Sequence, residues 1–539
     1  MRKIVLPLLL VSGFAAQAQL KIDNATFFIG SGATVTVQGD VTSNVDIQGT
    51  GLLQMKGSAL QNIDMGGHTI PNLEIDNTSN VTLLNSSTRI GTNLLFTNGR
   101  FQTGSQNLVI GSSAGITGFN SSRFVQASGA GVLTKESLGA SSFIYPVGFG
   151  AGEYNPLTIA NNGTIDNISV RCLQNVLANG LSGSPVTSDF ANSSWVVTEA
   201  VAGGSSLDMT AEWATGDELA NFNRVKSGIS RYNSGTDWDL PPSTVGNASG
   251  ANPYTRTRTG FSTTGVFAVA DLDKVNAAQL NLKILLQGPS FAGGLMGDNL
   301  RALGLVPTTQ PYTSALSATR FNRLGVYDGS ATVNESVPAV GVFDVAGTND
   351  DIVDWVYIAL LDGTTPSTKL QTRAALLQRD GDVVEYDPLS ATYVPVRMPI
   401  ESDGSYHILV SHRNHLAIRT PSTLSLADNV VTSYNFTTAQ AQAFGVNPMA
   451  PLTGGVFGLR GGNVDYSNQS RASGPPAIND DSKLLSRLGV LGNIFANVYE
   501  PFDINMDGTT RASGPPAIND RSKLLSILGT LGTILTEQL

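Results

Sequence analysis

The stretch GATVTVQGDV, residues 32–41, decides how the first part of the chain reads. Val35 and Val37 alternate with Thr34 and Thr36, so the two valines share one face of a strand, and Gly and Asp close the strand after a few residues. The same texture recurs as Val45 and Ile47, Leu73 and Ile75, Val81 and Leu83, Leu94 and Phe96, and Leu108 and Ile110, with Gly, Asn, Ser and Thr between. Strands this short bury little by themselves. Recurring without a long excursion, they suit coils that stack one on the next, which predicts a β-helix-like solenoid over residues 19–150.

The full 539 residues exceed what one hydrophobic core holds, so further modules follow. From Ala151 the strands lengthen and the first tryptophans occur, Trp195, Trp213 and Trp238, which predicts a β-sandwich over 151–273. After a polar linker, Asp271–Gln279, strands are expected at Leu280–Leu286, Ile352–Leu360, Ala374–Gln378 and Tyr406–Arg419. They predict a second sandwich over 280–420 with a long insertion that contains GLMGDNLRALGLVPTTQPY. A Ser/Thr-rich connector, 421–460, leads to a duplicated end, 461–539. The predicted class is mainly β, with helices only in the duplicated end.

The opening MRKIVLPLLLVSGFAAQAQ has a basic start, a short apolar run and small residues at Ala16 and Ala18; it reads as a signal peptide over 1–18. No stretch reaches the roughly 20 apolar residues of a transmembrane helix. An exported protein, secreted or on the outer cell surface, is the expectation. Its single cysteine, Cys172, excludes an internal disulfide and reads as a buried structural thiol. With 32 basic and 42 acidic residues the chain carries a net charge of −10, which argues against nucleic acid or anionic lipid and toward cations.

RASGPPAIND occurs at 471–480 and again at 511–520, inside a longer repeat in which NVDYSNQSRASGPPAINDDSKLLSRLGVLG (463–492) aligns with DINMDGTTRASGPPAINDRSKLLSILGTLG (503–532). Each copy is a polar loop followed by leucines at helical spacing: Leu484, Leu485, Leu488 and Leu491, or Leu524, Leu525, Leu528 and Leu531. The second loop, Asp503-x-Asn505-x-Asp507-Gly508, is the start of a calcium loop, whose alternate side-chain oxygens converge on a hard cation. Thr509 would add a backbone carbonyl. The twelfth position, where a carboxylate is usual, is Gly514, and the next carboxylate is Asp520. Asp520 reads either as the returning calcium ligand or as the N-cap of the helix, and Asn519 fits either role. The first copy offers Asn463, Asp465, Ser467 and Asp480, with Asn468 in place of the loop glycine. Fewer charges there predict a weak or vestigial site beside a stronger one.

Two tandem loop-plus-helix units resemble a dockerin, and the form DINMDG…SGPPAINDRSKLL is similar to a variant that ends many exported proteins of the Bacteroidetes. The motifs LLQGP…GLMGDNLR…GLVP…PY, DDIVDWVYIAL, ALLQRDGDVVEYD and SHRNHL resemble the hemagglutinin-like or adhesin-like surface proteins of that group. The resemblance covers about residues 280–539. It implies a surface protein whose partners are proteins or glycans, and it supplies no catalytic residues.

Other chemistry reads more simply as structure. His407, His412 and His415 lie on what reads as one strand, where period-two alternation puts His412 opposite the other two and away from a shared metal. Asp380, Asp382, Glu385 and Asp387 offer the paired carboxylates that a glycosidase needs, but Asp380-Gly381 reads as a hairpin turn between strands. Two functions remain: a non-enzymatic adhesive or binding protein, and a polysaccharide lyase or hydrolase using a solenoid groove. The second requires the scattered charges Lys56, Asp64, Glu74, Asp76, Arg89 and Arg100 to cluster.

Overall fold

A computed structural model describes residues 19–539 apart from 234–237, 272–273, 313–319, 325–334, 344–345 and 388–390. The signal-peptide reading of 1–18 lies outside the described residues. The chain divides into two compact units, one running to Lys274 without Pro241–Val245, the other made of that short segment and Val275–Leu539.

The first unit begins as a β-solenoid-like stack. Strands Leu20–Ile22, Val41–Ser43, Gln61–Asp64, Val81–Leu83, Phe101–Gln102, Val125–Gln126 and Val147–Gly150 pair in parallel along one face. Thr34–Val37, Leu52–Met55, Thr69–Asp76, Thr88–Asn98, Leu108–Ile110 and Leu133–Leu138 do so along another. A coil takes about 20 residues, as the pairings Leu53 with Leu73 and Val81 with Phe101 show, but the offset varies from coil to coil. Inward side chains therefore stack in register: Val81, Phe101, Val125 and Val147 form one ladder, all fully buried.

The parallel stack is closed at one end by a change of direction. Leu133–Leu138 pairs on its far edge with Asp166–Gln174 antiparallel, and the same sheet continues antiparallel through Phe190–Glu199, Gly265–Asp271 and Ser227–Tyr232. This covers an edge that would otherwise expose unpaired backbone groups. A five-stranded antiparallel sheet containing Leu157–Asn161, Leu207–Trp213 and Tyr254–Phe261 shares its core, since Trp195, Trp213, Phe261, Phe267 and Cys172 belong to one buried cluster with the solenoid ladders.

The second unit is built on a nine-stranded sheet. Its central strand Ile352–Asp362 lies between Gly404–His412 and Lys369–Gln378, and it is buried along its length from Ile352 to Leu361. A strand covered on both faces reads as a continuous apolar run, which IVDWVYIAL is, except for Asp354. The hairpin expected at Asp380-Gly381 forms, with Gly381 at φ +99°. The strand expected over Tyr406–Arg419 breaks into Gly404–His412 and His415–Arg419 around an Arg413-Asn414 turn. Among the described residues, helices of more than one turn are Asp480–Leu488 and Asp520–Leu528; Asn299–Ala302 is a single turn.

Replacing Phe101 by Ala removes a fully buried rung and should destabilise the first unit by about 3–5 kcal/mol. Phe28→Ser, at a side chain 67% exposed, should change stability by no more than about 0.5 kcal/mol. Chemical denaturation of the two variants checks the contrast, and equal losses would mean that the ladder does not carry the stack.

Candidate functional site

Each copy of the terminal repeat folds as loop, three-residue strand, one 3-10 turn at Pro-Ala-Ile, helix, and a second three-residue strand. The strands pair reciprocally: Ile494–Ala496 of the first copy with Thr509–Arg511 of the second, and Ile534–Thr536 of the second with Gln469–Arg471 of the first. Neither copy completes its own ladder, so the duplication closes the pair. The helices meet where the copies differ, and Arg521 makes two bonds to Asp481, Nε to Oδ1 at 2.7 Å and a terminal nitrogen to Oδ2 at 3.0 Å. Identical aspartates at both positions would repel there.

The two readings of the helix start are divided between neighbours. Asn519 is the N-cap, its Oδ1 accepting from Ser522 N at 3.0 Å, and Asn479 does the same for Ser482 N at 3.1 Å. Asp520 is the first helical residue and reaches back to the loop. Its Oδ1 accepts from Ile504 N (2.7 Å) and Asn505 N (3.3 Å), and its Oδ2 from Arg511 N (2.8 Å). Asp480 repeats the device on Val464 N and Arg471 N, both at 2.8 Å. The identical ten residues are thus the return leg that brings a carboxylate back to the loop.

In the second loop Asp503 accepts from Asp507 N (3.0 Å) and Gly508 N (2.8 Å), Asn505 Oδ1 from Asp507 N (3.1 Å), and Asp507 Oδ1 from Thr509 N (3.0 Å). Asn505 Nδ2 donates to the other Asp507 oxygen at 2.9 Å. Met506 and Gly508 hold positive φ, 58° and 81°. Burial pushes the Asp503 carboxyl up to about 7, with Asp507 adding repulsion, and pushes Asp520 up to about 8, with Asp503 adding to it.

In the first loop Asp465 Oδ1 accepts from Ser467 N (3.0 Å), and the Ser467 hydroxyl exchanges bonds with the backbone of Gln469. Asn463 Nδ2 donates to Ser467 O at 2.6 Å, while its buried Oδ1 has no hydrogen-bond partner among the described residues. Burial pushes Asp480 up to about 7.

The oxygen-only donor set and the crowding of Asp503, Asp507 and Asp520 suit a hard cation in the second loop. Among the described residues, however, no group of three or more His, Cys, Asp or Glu side chains is already gathered at metal-holding distance. The Asn505 amide at Asp507 would have to turn away before the side-chain oxygens converge.

The pair is tied into the second unit around one buried carboxylate. Asp354 is fully buried on the central strand; its Oδ2 meets His412 Nε2 and Arg413 Nε, each at 3.0 Å, and its Oδ1 accepts from Tyr499 OH at 2.5 Å and Trp355 N at 2.8 Å. Burial opposes the charge, but Arg413, His412 and Tyr499 together hold the carboxyl well below the usual carboxylate range. Arg413 also donates to Glu500 O and lies over the Tyr499 ring, and Asn414 Nδ2 donates to Asp503 O at 2.9 Å. The second loop therefore starts on the Arg413-Asn414 turn. Met506 enters the core of the second unit, and a Cβ at Gly508 would come within 2.6 Å of Leu303.

Two expectations about histidines change with the turn. His412 and His415 are brought together instead of facing opposite ways, with Nδ1 atoms 2.9 Å apart, while His415 Nε2 meets Gln287 O at 3.1 Å. Burial lowers the pKa of both. His407 stands apart on Thr420. Asp380 and Asp382 both bond Lys283, and Glu385 bonds Arg373. In the solenoid Lys56 pairs with Asp76, Arg89 with Glu136, Glu74 accepts from Gln54 and Thr97, and Asp64 from Asn85 and Ser86. Asp354, Arg413, Asn414 and Tyr499 were not singled out by sequence, although an Asp inside an apolar run is itself a signal of a buried partner.

The site thus belongs to a mainly β, solenoid-bearing chain with a self-paired terminal repeat. Scans against protein-family models, curated proteins and solved structures give no match to it.

Arg413→Ala leaves the Asp354 carboxylate buried without its main counter-charge and should cost the second unit about 3–5 kcal/mol in chemical denaturation, with the terminal repeats melting together with the sheet. Retained stability would show that the dock is incidental.

The raised carboxyls make a pH test of opposite sense to ordinary acid denaturation. A carboxyl held above its unfolded value contributes stability that is complete at acid pH and lost as pH rises through its folded value. For Asp480, Asp503 and Asp520 that loss begins near the ordinary value of 3.8 and is complete by about 7 to about 8. In chelator the second unit should weaken as pH rises through that range, by up to about 1.4 kcal/mol per pH unit for each titrating group. Thermal melts should show this slope flattened by Asp503→Asn; a slope unchanged in the variant would remove Asp503 as its source.

Proposed function

We propose that the chain is a non-enzymatic, modular protein, exported and either secreted or held at the outer cell surface, that binds a protein or glycan partner. We read the antiparallel parts of the two units as sandwich modules and the terminal repeats as a dockerin-like pair ordered by Ca2+. Calcium, when bound, supplies the positive charge that the second loop lacks. Asp503, Asn505, Asp507 and Asp520 would hold it through side-chain oxygens and Thr509 through its carbonyl. Asn463, Asp465, Ser467 and Asp480 form the weaker counterpart.

The observation that carries this reading is the second loop, where the buried Asp503 and Asp520 lie near the half-buried Asp507 and the Asp520 return leg fixes the loop to its helix. A loop so built gains most from a cation that removes the repulsion, and its tie to Arg413 and Asn414 would pass that ordering to the sheet. The alternative is a polysaccharide-active enzyme using the solenoid groove. The adhesive reading is favoured because Lys56, Asp64, Glu74 and Asp76 are engaged in bonds that hold one coil to the next, and Arg89 in an ion pair that reaches across the next coil to Glu136.

Calorimetric titration of the full chain with Ca2+ tests the site. A stronger site lost in Asp507→Ala and little changed in Ser467→Ala is expected; absent binding, or undiminished binding in Asp507→Ala, would leave the repeats as a self-paired cap. A glycan array read beside a reducing-end release assay tests the function, for release of reducing ends would replace the adhesive reading with the enzymatic one.

A further inference from the structure

The first unit carries an open polar cleft of about 460 Å³ where successive coils turn the same corner. The turn before Val81 supplies Asn80, the turn before Phe101 supplies Asn98 and Arg100, and the turn before Val125 supplies Asn120, Ser122 and Arg123. Neighbouring strands lie about 4.8 Å apart, so side chains on adjacent coils at one corner address a single ligand.

The two half-buried arginines differ from two other cations of the solenoid. Lys56 and Arg89 are paired with Asp76 and Glu136. Arg100 and Arg123 have no carboxylate partner within ion-pair distance among the described residues, in a chain with an excess of acidic groups. Each is instead aimed by one neutral bond: Arg100 donates to Gln126 Oε1 and Arg123 to Thr97 O, both at 2.8 Å. A guanidinium has five N–H donors, so both keep donors for a ligand. Around them stand amides and a hydroxyl, groups suited to sugar hydroxyls.

We propose that this cleft binds an acidic oligosaccharide, with Arg100 and Arg123 taking an oxyanion of the sugar and Asn98, Asn120 and Ser122 its hydroxyls. The inference rests on the adhesive reading above and gives it a ligand class. Guanidinium pairs bidentately with a planar carboxylate, so a uronate is the expected anion; a sulfate ester offers the same oxyanion chemistry.

The test is titration of the full chain with oligogalacturonate, with a sulfated chondroitin oligosaccharide, and with a neutral cello-oligosaccharide as control. Wild type should bind the uronate, and Arg100→Gln with Arg123→Gln should weaken it at least tenfold while the thermal melt is kept. Loss confined to the sulfated sugar would support the same cleft with sulfate as the anion. Should the double variant fail to fold, Asn120→Asp keeps an acceptor for Ser122 N and places a negative charge in the cleft, and the same tenfold loss is expected. Binding unchanged in the folded variants, or wild type binding neither acidic sugar, overturns the proposal. If adhesion to cells or to a protein persists in the double variant, the adhesive reading stands without this cleft. If the oligosaccharide is shortened during titration, the cleft stands and the non-enzymatic reading falls.

Discussion

A three-residue strand cannot satisfy its own backbone; its N–H and C=O groups need a neighbour on each side, and much of this chain is arranged to supply one. In the solenoid the neighbour is the next coil, about 20 residues on. In the terminal repeats it is the other copy, as Ile494 with Arg511 and Ile534 with Arg471 show. Stacking and duplication answer the same backbone requirement, one in an open series and one in a closed pair.

Closing the pair leaves charge to be managed. The return carboxylates Asp480 and Asp520 accept backbone N–H groups in buried positions, where burial disfavours their ionised form. Asp354 is treated differently, since Arg413, His412 and Tyr499 surround it and keep it ionised. One buried carboxylate is neutralised by the fold, whereas Asp503 has the Asp507 charge near enough to add to the effect of burial. That contrast separates a carboxylate held ionised from carboxyls that burial pushes toward their neutral form.

Much of the local structure is legible in the residues alone. Val81, Leu83 and Leu94, Phe96 announce strands through their alternation, Asp380-Gly381 announces a hairpin, and the leucines after each RASGPPAIND announce helices. The coil length is harder to read because the parallel offset changes from one coil to the next, as in Thr34 with Leu52 and Leu108 with Leu133. Alternation places His412 and His415 on opposite faces, wrongly, because nothing in their spacing marks the turn at Arg413-Asn414, neither residue of which is glycine or proline.

The sequence by itself determined the β character of the chain, the loop residues Asp503, Asn505 and Asp507, and the existence of a return leg, because strand alternation, oxygen spacing and duplication are local patterns. Only the tertiary structure decided which copy each short strand pairs with, that Asn519 caps while Asp520 straps, that Asp354 joins Arg413 and Tyr499, and that Arg100 and Arg123 share one cleft. Those outcomes depend on which distant segments come within hydrogen-bonding distance. That proximity is set by packing and backbone satisfaction across the fold, which no single stretch encodes.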